Sequence, residues 1–420
     1  MDRTSGYLYP ELETAEWDET LAGFDERLTH LIDHAWEHSP AIKERFLSVG
    51  AEPGDIRTVS DLEKLPVMPK SAMVELQAKN PPYGGLLAVP ITDIAHICRS
   101  PGPIWDPKGR GEGWGWEEGL YATGFRPGDI SINTFAYHLT PAGMMFDDGL
   151  RKLGCPVVPT GVGEKELQLE IMRALGVSGY VGMASFLLQI GEKAISMGLD
   201  PKKDLNLRAA FSTAEPMPDS LRGKVEDMFG LILRQGFGTA ECGLLAYECY
   251  HKGGMHLSTR AIVEIVDPQT GKQLPMGEVG EMVVTLFDRT YILIRLGTGD
   301  LSAIDPVDCD CGRKSPKLRG WLGRADQLVK VKGQFVHPGQ VVKTMAAFAE
   351  ISKYRLVVTR LNERDTLTLK AEAPESVQGL SEAIKKGLRE GVRLGCEVEL
   401  VGPGTLPDDG KVLEDARIWD

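Results

Sequence analysis

Residues 295–338, RLGTGDLSAIDPVDCDCGRKSPKLRGWLGRADQLVKVKGQFVHP, gather a Thr-Gly-Asp turn, a Cys-x-Cys pair, a Gly-Arg-x-Asp element and a Lys/Gly loop into one short span. Asp300 follows Gly299, so its carboxylate can stand on a tight turn where a ligand approaches the backbone closely. Arg324 offers a planar, permanently charged fork suited to phosphate or carboxylate. These residue types together imply a nucleotide site at a domain junction.

A second constellation is built from sulfur. Cys249 and His256 form a Cys-x6-His pair, and Cys309 and Cys311 a Cys-x-Cys pair. Three thiolates and one imidazole would complete a closed tetrahedral zinc site, a staple with no position left for water. His251 competes with His256 as the nitrogen ligand, and reduced surface thiols are the metal-free alternative. Cys98, Cys155 and Cys396 lie in apolar stretches and read as buried core thiols. Seven scattered cysteines lack the density of a disulfide framework.

The elements that must position these groups can be read from the pattern of residues. A chain of 420 residues exceeds what one core holds, so two or three domains are expected. The net charge of −13 argues against nucleic-acid or anionic-membrane partners. No apolar run is long enough to span a bilayer. The start, MDRTSGYLYPELE, lacks the features of a signal peptide, so a cytoplasmic location is expected. Apolar positions at helical spacing in 18–48 predict a helical lead-in, and LEKLPVMPKSAMVEL reads as a proline-broken link into the next helix. From about residue 91, short apolar strands alternate with helices: RPGDISINTF, CPVVPTG, SGYVGM, LRAAFST and LILRQGFG are the strands. That alternation predicts an α/β fold with a mostly parallel sheet covered on both faces. After Glu241, AIVEIVDPQTGKQLPMGEVGEMVVTLF predicts antiparallel strands, a β-rich subdomain. Beyond Asp326, YRLVVTRL, TLTLKAEA, SVQGLSEAIKKGLREGV and CEVELVG predict a small α+β domain, giving domains 1–325 and 326–420.

Several motifs in one order resemble the adenylate-forming acyl-CoA ligases, most closely the phenylacetate-CoA ligase branch. They are HAWEHSPAIKERF, DIRTVSDLEKLPVMPK, FSTAEP, FGTAE, RLGTGD, CDCGRKSPKLRGWLGRADQLVKVKG and the terminal DGKVLEDARIWD, and the resemblance covers nearly the whole chain. It implies that a carboxylate is joined to AMP from Mg-ATP and then passed to the thiol of CoA. Glu241 would be the Mg2+ ligand and Thr239 would bond the α-phosphate. Asp300 would accept both ribose hydroxyls, and Arg324 would complete the nucleotide set. Ala214, Glu215 and Pro216 would form the adenine-side loop, with Phe237 and Gly238 lining the slot. Lys411 would bridge the substrate carboxylate and the α-phosphate. Asp326 would be the hinge of a mobile C-terminal domain, and Lys330, Lys332 and Gly333 would lie on a loop entering the site for the second step. Tyr137, His138 and Ser185 would lie near the acyl pocket, an aryl acid being the first expectation. Cys242 would pack near the active site, relatives similar at the cysteine cluster carry structural zinc, and relatives often dimerise.

One segment departs from this pattern. The family's phosphate loop has the form S-S-G-T-T-G-x-P, whereas this chain has RSPGPIWDPKGRGEGWGW. Ser100, Gly102 and Pro107 survive, Pro103 and Ile104 replace the threonines, and Asp106 would repel a triphosphate. Lys108 and Arg110 could compensate. Two expectations therefore stand: a working AMP-forming acyl- or aryl-CoA ligase, or a homologue without ATP-driven adenylation that binds an adenylate or acyl ligand or acts as an acyl transferase.

Overall fold

Phe24, Leu28, Leu31, Ile32 and Ala35 recur at helical spacing and form the buried face of the helix Trp17–His38. The helical lead-in divides at Ser39, which is extended, and Pro40 opens a second helix, Pro40–Ser48. Proline suits a first helical turn because its missing N–H has no partner there. The Ser39 hydroxyl accepts from the Ile42 amide. The computed structural model describes residues 2–100, 104–111, 113–306, 308–327, 329–331, 334–336, 338–361, 364–374 and 379–417, and within these not the side chains of Asp326, Lys330, Gln334, Phe335, Arg360, Leu361 and Arg364. These residues fall into two compact units, Met1–Thr298 with Ala303–Gly320, and Gly299–Ser302 with Trp321–Asp420.

The first unit contains the expected parallel sheet. Strands Val157–Val158, Ser131–Asn133, Gly179–Val181, Ala209–Ser212 and Ile232–Thr239 lie side by side in parallel. The sheet continues antiparallel through Gly243–Tyr247, Met255–Leu257, Lys317–Leu318 and Ile304–Asp305. The central parallel strands are short and buried, as strands covered on both faces must be. The antiparallel strands Ala261–Val266 and Gly280–Leu286, part of a second sheet, form from the segment expected to be β-rich. Arg295 is buried behind it, bonded to Glu264, the Leu65 carbonyl and the Gly271 carbonyl.

The second unit packs Pro338–Met345 and Leu380–Gly391 around the sheet Glu397–Val401, Arg364–Glu372, Lys353–Leu361 and Leu413–Asp415. The helix expected over SVQGLSEAIKKGLREGV is present as Leu380–Gly391. Cys98 and Cys155 are buried as expected, but Cys396 is only half-buried, immediately before the strand Glu397–Val401. Among the described residues no helix is long and apolar enough to cross a membrane.

A buried polar network ties the first unit together. Glu118 accepts from the Tyr247 hydroxyl at 2.9 Å and the Ser258 hydroxyl at 2.8 Å. Arg313 reaches Tyr247 and forms an ion pair with Glu13 at 2.7 Å, with both side chains buried. Burial pushes the Glu118 carboxyl up from 4.5 to about 7, against the pull of Ser258 and Tyr247. The folded protein therefore holds a proton that the unfolded chain releases, and stability falls as pH rises from about 4.5 to 7. Glu118→Gln, neutral throughout, should gain on the order of 3 kcal/mol relative to the parent between pH 5 and pH 8, read from urea unfolding midpoints.

Candidate functional site

The parallel strand Ile232–Thr239 turns back into Gly243–Tyr247 through Ala240, Glu241 and Cys242, so FGTAE becomes a tight connection at a strand end. Thr239 Oγ1 accepts from the Cys242 amide at 3.1 Å, which fixes the turn and leaves the hydroxyl hydrogen able to donate elsewhere. A Cβ on Gly238 would collide with the Gly243 carbonyl and come within 2.8 Å of the Trp116 ring. Only glycine allows the indole to press against the strand here. Phe237 is half-buried against the first unit's core, and Cys242, next to Glu241, is fully buried.

Glu241 is 4% exposed, and its buried Oε2 accepts no hydrogen bond. The Lys70 ammonium lies 3.1 Å from that oxygen, an ion-pair contact without hydrogen-bond geometry. A hard divalent cation seeks such a carboxylate oxygen, so Glu241 fits the Mg2+ role.

The loop expected on the adenine side is held by a helix end. The Ala184 amide donates to Ser212 Oγ at 3.0 Å, and the Ser185 amide and hydroxyl donate to the two oxygens of Glu215 at 2.8 and 2.6 Å. A carboxylate over the first turn of Ala184–Ser196 is favoured by the helix dipole. Ser185 and Glu215, expected in different halves of the site, are therefore bonded to each other. Ala214 adopts φ 71°, a left-handed conformation that non-glycine residues rarely take. Pro216 stands two residues further along the same loop.

The segment standing for the phosphate loop is a β-hairpin, Ile94–Arg99 with Trp105–Gly109, with Gly102 and Pro103 outside the described residues. Asp106 pairs across it with Cys98 and is 6% exposed. Its carboxyl is raised well above the usual range by burial and then by the charge of Glu241, with Lys108 and Lys70 opposing. Lys108 does not stand free for phosphate: it forms a buried ion pair with Asp288 at 2.6 Å. Arg110 donates to the Thr92 carbonyl.

Near the expected acyl pocket, Tyr137 packs over Gly143, and its hydroxyl accepts from Asn133 at 2.8 Å. Burial, then Asp147, pushes that hydroxyl up to about 12. His138 is exposed.

The sulfur cluster closes as a set. The ligand atoms of Cys249, His256, Cys309 and Cys311 all lie within 4.8 Å of one another. Cys249 and Cys309 sulfurs are 3.6 Å apart, and Cys311 Sγ is 3.4 Å from His256 Nε2. His256 Nδ1 faces the Ser315 carbonyl at 3.2 Å, the outer bond that directs Nε2 towards a metal. His251 is not in the group. The Cys311 thiol is drawn well below its ordinary value by Cys249 beside it, against burial and with help from His256. The donor set fits zinc.

In the second unit, Asp300 accepts from Arg324 at 3.0 Å and from the Trp321 indole at 3.1 Å. Asp300 and Arg324 are also opposite one another in the strand pairing. Lys411 is exposed, two residues before the strand Leu413–Asp415. Arg355, buried, holds both Asp409 and Glu414, bracing the turn that carries Lys411. Asp326 lies in the short helix Ala325–Gln327, and Lys330 in the strand Val329–Val331. Lys332 and Gly333 lie outside the described residues.

Two family models match: AMP-binding enzyme over residues 150–285 and AMP-binding enzyme C-terminal domain over residues 333–420. The chain is 28% identical to a phenylacetate-coenzyme A ligase of Thermus thermophilus, over 95% of this chain and 96% of that one. It is 27% identical to the Escherichia coli protein of the same name, over 97% and 96%. The chain belongs to the adenylate-forming superfamily, in its phenylacetate-CoA ligase-like branch. Its fold matches that of an open 2-hydroxyisobutyryl-CoA ligase, solved with 2-HIB-AMP and CoA, with a TM-score of 0.88 at 23% identity, covering 99% of this chain and 94% of that one. The fold expected of this superfamily member, mixed α/β with mostly parallel sheets, is the one observed.

Sequence reasoning gave no role to Lys70, Trp116 or Arg355. Lys70 stands in VMPK, where only its place at a helix start is visible, and its partner is remote in sequence. Gly238→Ala should cost about 1–3 kcal/mol by overpacking against Trp116. Gly223→Ala, in a helix with open space around it, should be neutral or stabilising. Denaturant unfolding of the two variants side by side checks the contrast.

Proposed function

We propose that this protein is an AMP-forming acid–CoA ligase. The observation that carries this reading is the Thr239–Glu241 turn, a hydroxyl and a buried carboxylate whose Oε2 accepts no hydrogen bond, at a strand end, in a chain of this family. In the first step a substrate carboxylate oxygen attacks the α-phosphorus of ATP, the bond to the β-phosphate oxygen breaks, and pyrophosphate leaves. In the second, the CoA sulfur attacks the acyl carbon, the bond to the AMP oxygen breaks, and AMP departs. Bound Mg2+ would supply positive charge to the triphosphate.

Thr239 would donate to the α-phosphate and Glu241 would hold the cation. Asp300 and Arg324 would take the ribose side, and 214–216 with Phe237 and Gly238 the adenine side. Lys411 would neutralise carboxylate and phosphate together, as a compact ammonium can. Asp326 is assigned the hinge between the two steps, with Lys332 and Gly333 on the incoming loop, in a mobile domain 326–420. The acid is proposed to be aromatic, with Tyr137, His138 and Ser185 near it. Cys249, His256, Cys309 and Cys311 would hold a structural zinc.

A second reading has a specific observation behind it. The phosphate loop is a hairpin whose Lys108 is committed to Asp288 and whose Asp106 is acidic, which favours a protein that handles a preformed adenylate or acyl ester. Pyrophosphate release from ATP, measured with a panel of carboxylates and CoA, separates the two. Release dependent on an acid is expected, and its absence with every acid, despite AMP binding, would sink the ligase reading. Lys411→Ala should slow that release by about 10²–10³-fold, the size seen for removing one charge-stabilising donor. The purified protein should carry about one zinc, and Cys311→Ser or a strong chelator should remove it and lower the melting temperature.

A further inference from the structure

The altered phosphate hairpin is gripped by a side chain from outside it. Gln77, on the helix Lys70–Lys79 and 6% exposed, takes both main-chain groups of Trp105. Its Nε2 donates to the Trp105 carbonyl at 2.6 Å, and its Oε1 accepts from the Trp105 amide at 2.8 Å. Nε2 also donates to the buried Tyr291 hydroxyl at 2.9 Å, which holds the amide in this orientation. Main-chain groups withdrawn from water need partners, and here one glutamine supplies what a third strand would. On the other strand of the hairpin, the Arg99 amide donates to the Leu139 carbonyl at 2.9 Å.

A second clamp joins the chain beyond the hairpin to the turn that carries Glu241. Arg260 Nη1 donates to the Trp114 carbonyl and, at 3.0 Å, to the Cys242 carbonyl, while Nη2 donates to the Gly113 carbonyl at 3.2 Å. The Leu244 amide donates to the same Trp114 carbonyl at 2.9 Å. Gly115 and Gly243 stand beside Arg260 in left-handed conformations, and a Cβ on either would strike its side chain. A planar fork can tie carbonyls of two segments together, whereas a lysine ammonium is a point charge without that geometry. We propose that Gln77 and Arg260 are positioning residues for the triphosphate of ATP. They hold the hairpin, and the segment after it, in fixed register with the Thr239–Glu241 turn.

On the ligase reading, on which this assignment rests, the hairpin serves the β- and γ-phosphates, which AMP lacks. Pro103 and Ile104 stand where the family pattern has threonines, so two side-chain hydroxyls are missing there. Main-chain amides must then meet more of the phosphate charge, and such donors act best when their positions are set beforehand. Gln77 and Arg260 set them through main chain alone, at Trp105, at Gly113 and Trp114, and at Cys242. Neither side chain has to touch the nucleotide.

The test is titration calorimetry of the full chain with Mg-ATP and, separately, with AMP, in the absence of acid and CoA. The parent protein should bind ATP more tightly than AMP. Gln77→Leu and Arg260→Lys should each weaken ATP binding by at least about tenfold and AMP binding by less than about threefold, the selective loss expected of misplaced phosphate contacts. A general loss of structure would weaken both nucleotides together, so AMP binding reports whether each variant has kept its fold. Parallel loss of ATP and AMP, ATP affinity unchanged in either variant, or a parent without preference for ATP overturns the proposal. Unchanged ATP binding by Arg260→Lys would show in particular that the charge matters and the fork does not. Acid-dependent pyrophosphate release by the parent decides the ligase reading separately, whatever the two variants do.

Discussion

A carboxylate taken out of water needs a cation, a proton or hydrogen bonds, and the first unit takes many of them out of water. Glu13 meets Arg313, Glu264 meets Arg295, Glu248 meets Arg222 and Asp288 meets Lys108, each pair with both side chains buried. Arginine dominates because its fork can answer a carboxylate and backbone carbonyls together. Glu118 is answered by two hydroxyls, which do not fully offset burial. At the turn after Ile232–Thr239, Glu241 meets Lys70 at 3.1 Å, but its buried Oε2 accepts no hydrogen bond. Such pairs fix one arrangement of the chain, because any slip would strand a charge in the interior.

The turn itself depends on a different constraint, the close approach of aromatic rings to backbone. Trp116 presses on Gly238, and Phe211 would be struck by a Cβ on Gly236. Trp116 in turn packs on Phe146 with ring centroids 4.4 Å apart, and Phe146 stacks on Phe135. The strand end is thereby backed by rigid rings. On the neighbouring loop the same rigidity comes from electrostatics, with Glu215 seated over the start of Ala184–Ser196.

In the second unit, rigidity is local to the terminal turn. Arg355 comes from the strand Lys353–Leu361 and grips an acid on either side of Lys411. Lys411 itself is exposed, so its position is set by its neighbours and its charge stays available.

The order of strands and helices was legible in the sequence because periodicity records which face is buried. LRAAFST and LILRQGFG are strands because most residues in them are apolar or small, and Leu380–Gly391 is a helix because its apolar residues recur on one side. The identity of the family was legible for a related reason: the residues expected to act on substrate sit in short contiguous motifs such as FGTAE and RLGTGD, where spacing is part of the chemistry. Four candidate zinc ligands could be named, and the fold groups His256, not its competitor His251, with the three cysteines. His256 lies in a strand paired with Lys317, close to the Cys309–Cys311 loop, whereas His251 lies in the turn before it. The partners of charge were not legible at all. Nothing in VMPK points to Glu241, and nothing in IWDPKG says that Lys108 belongs to Asp288. Sequence determines which residues can bear charge; only tertiary packing decides which charges leave water together, because that depends on distances between segments remote along the chain.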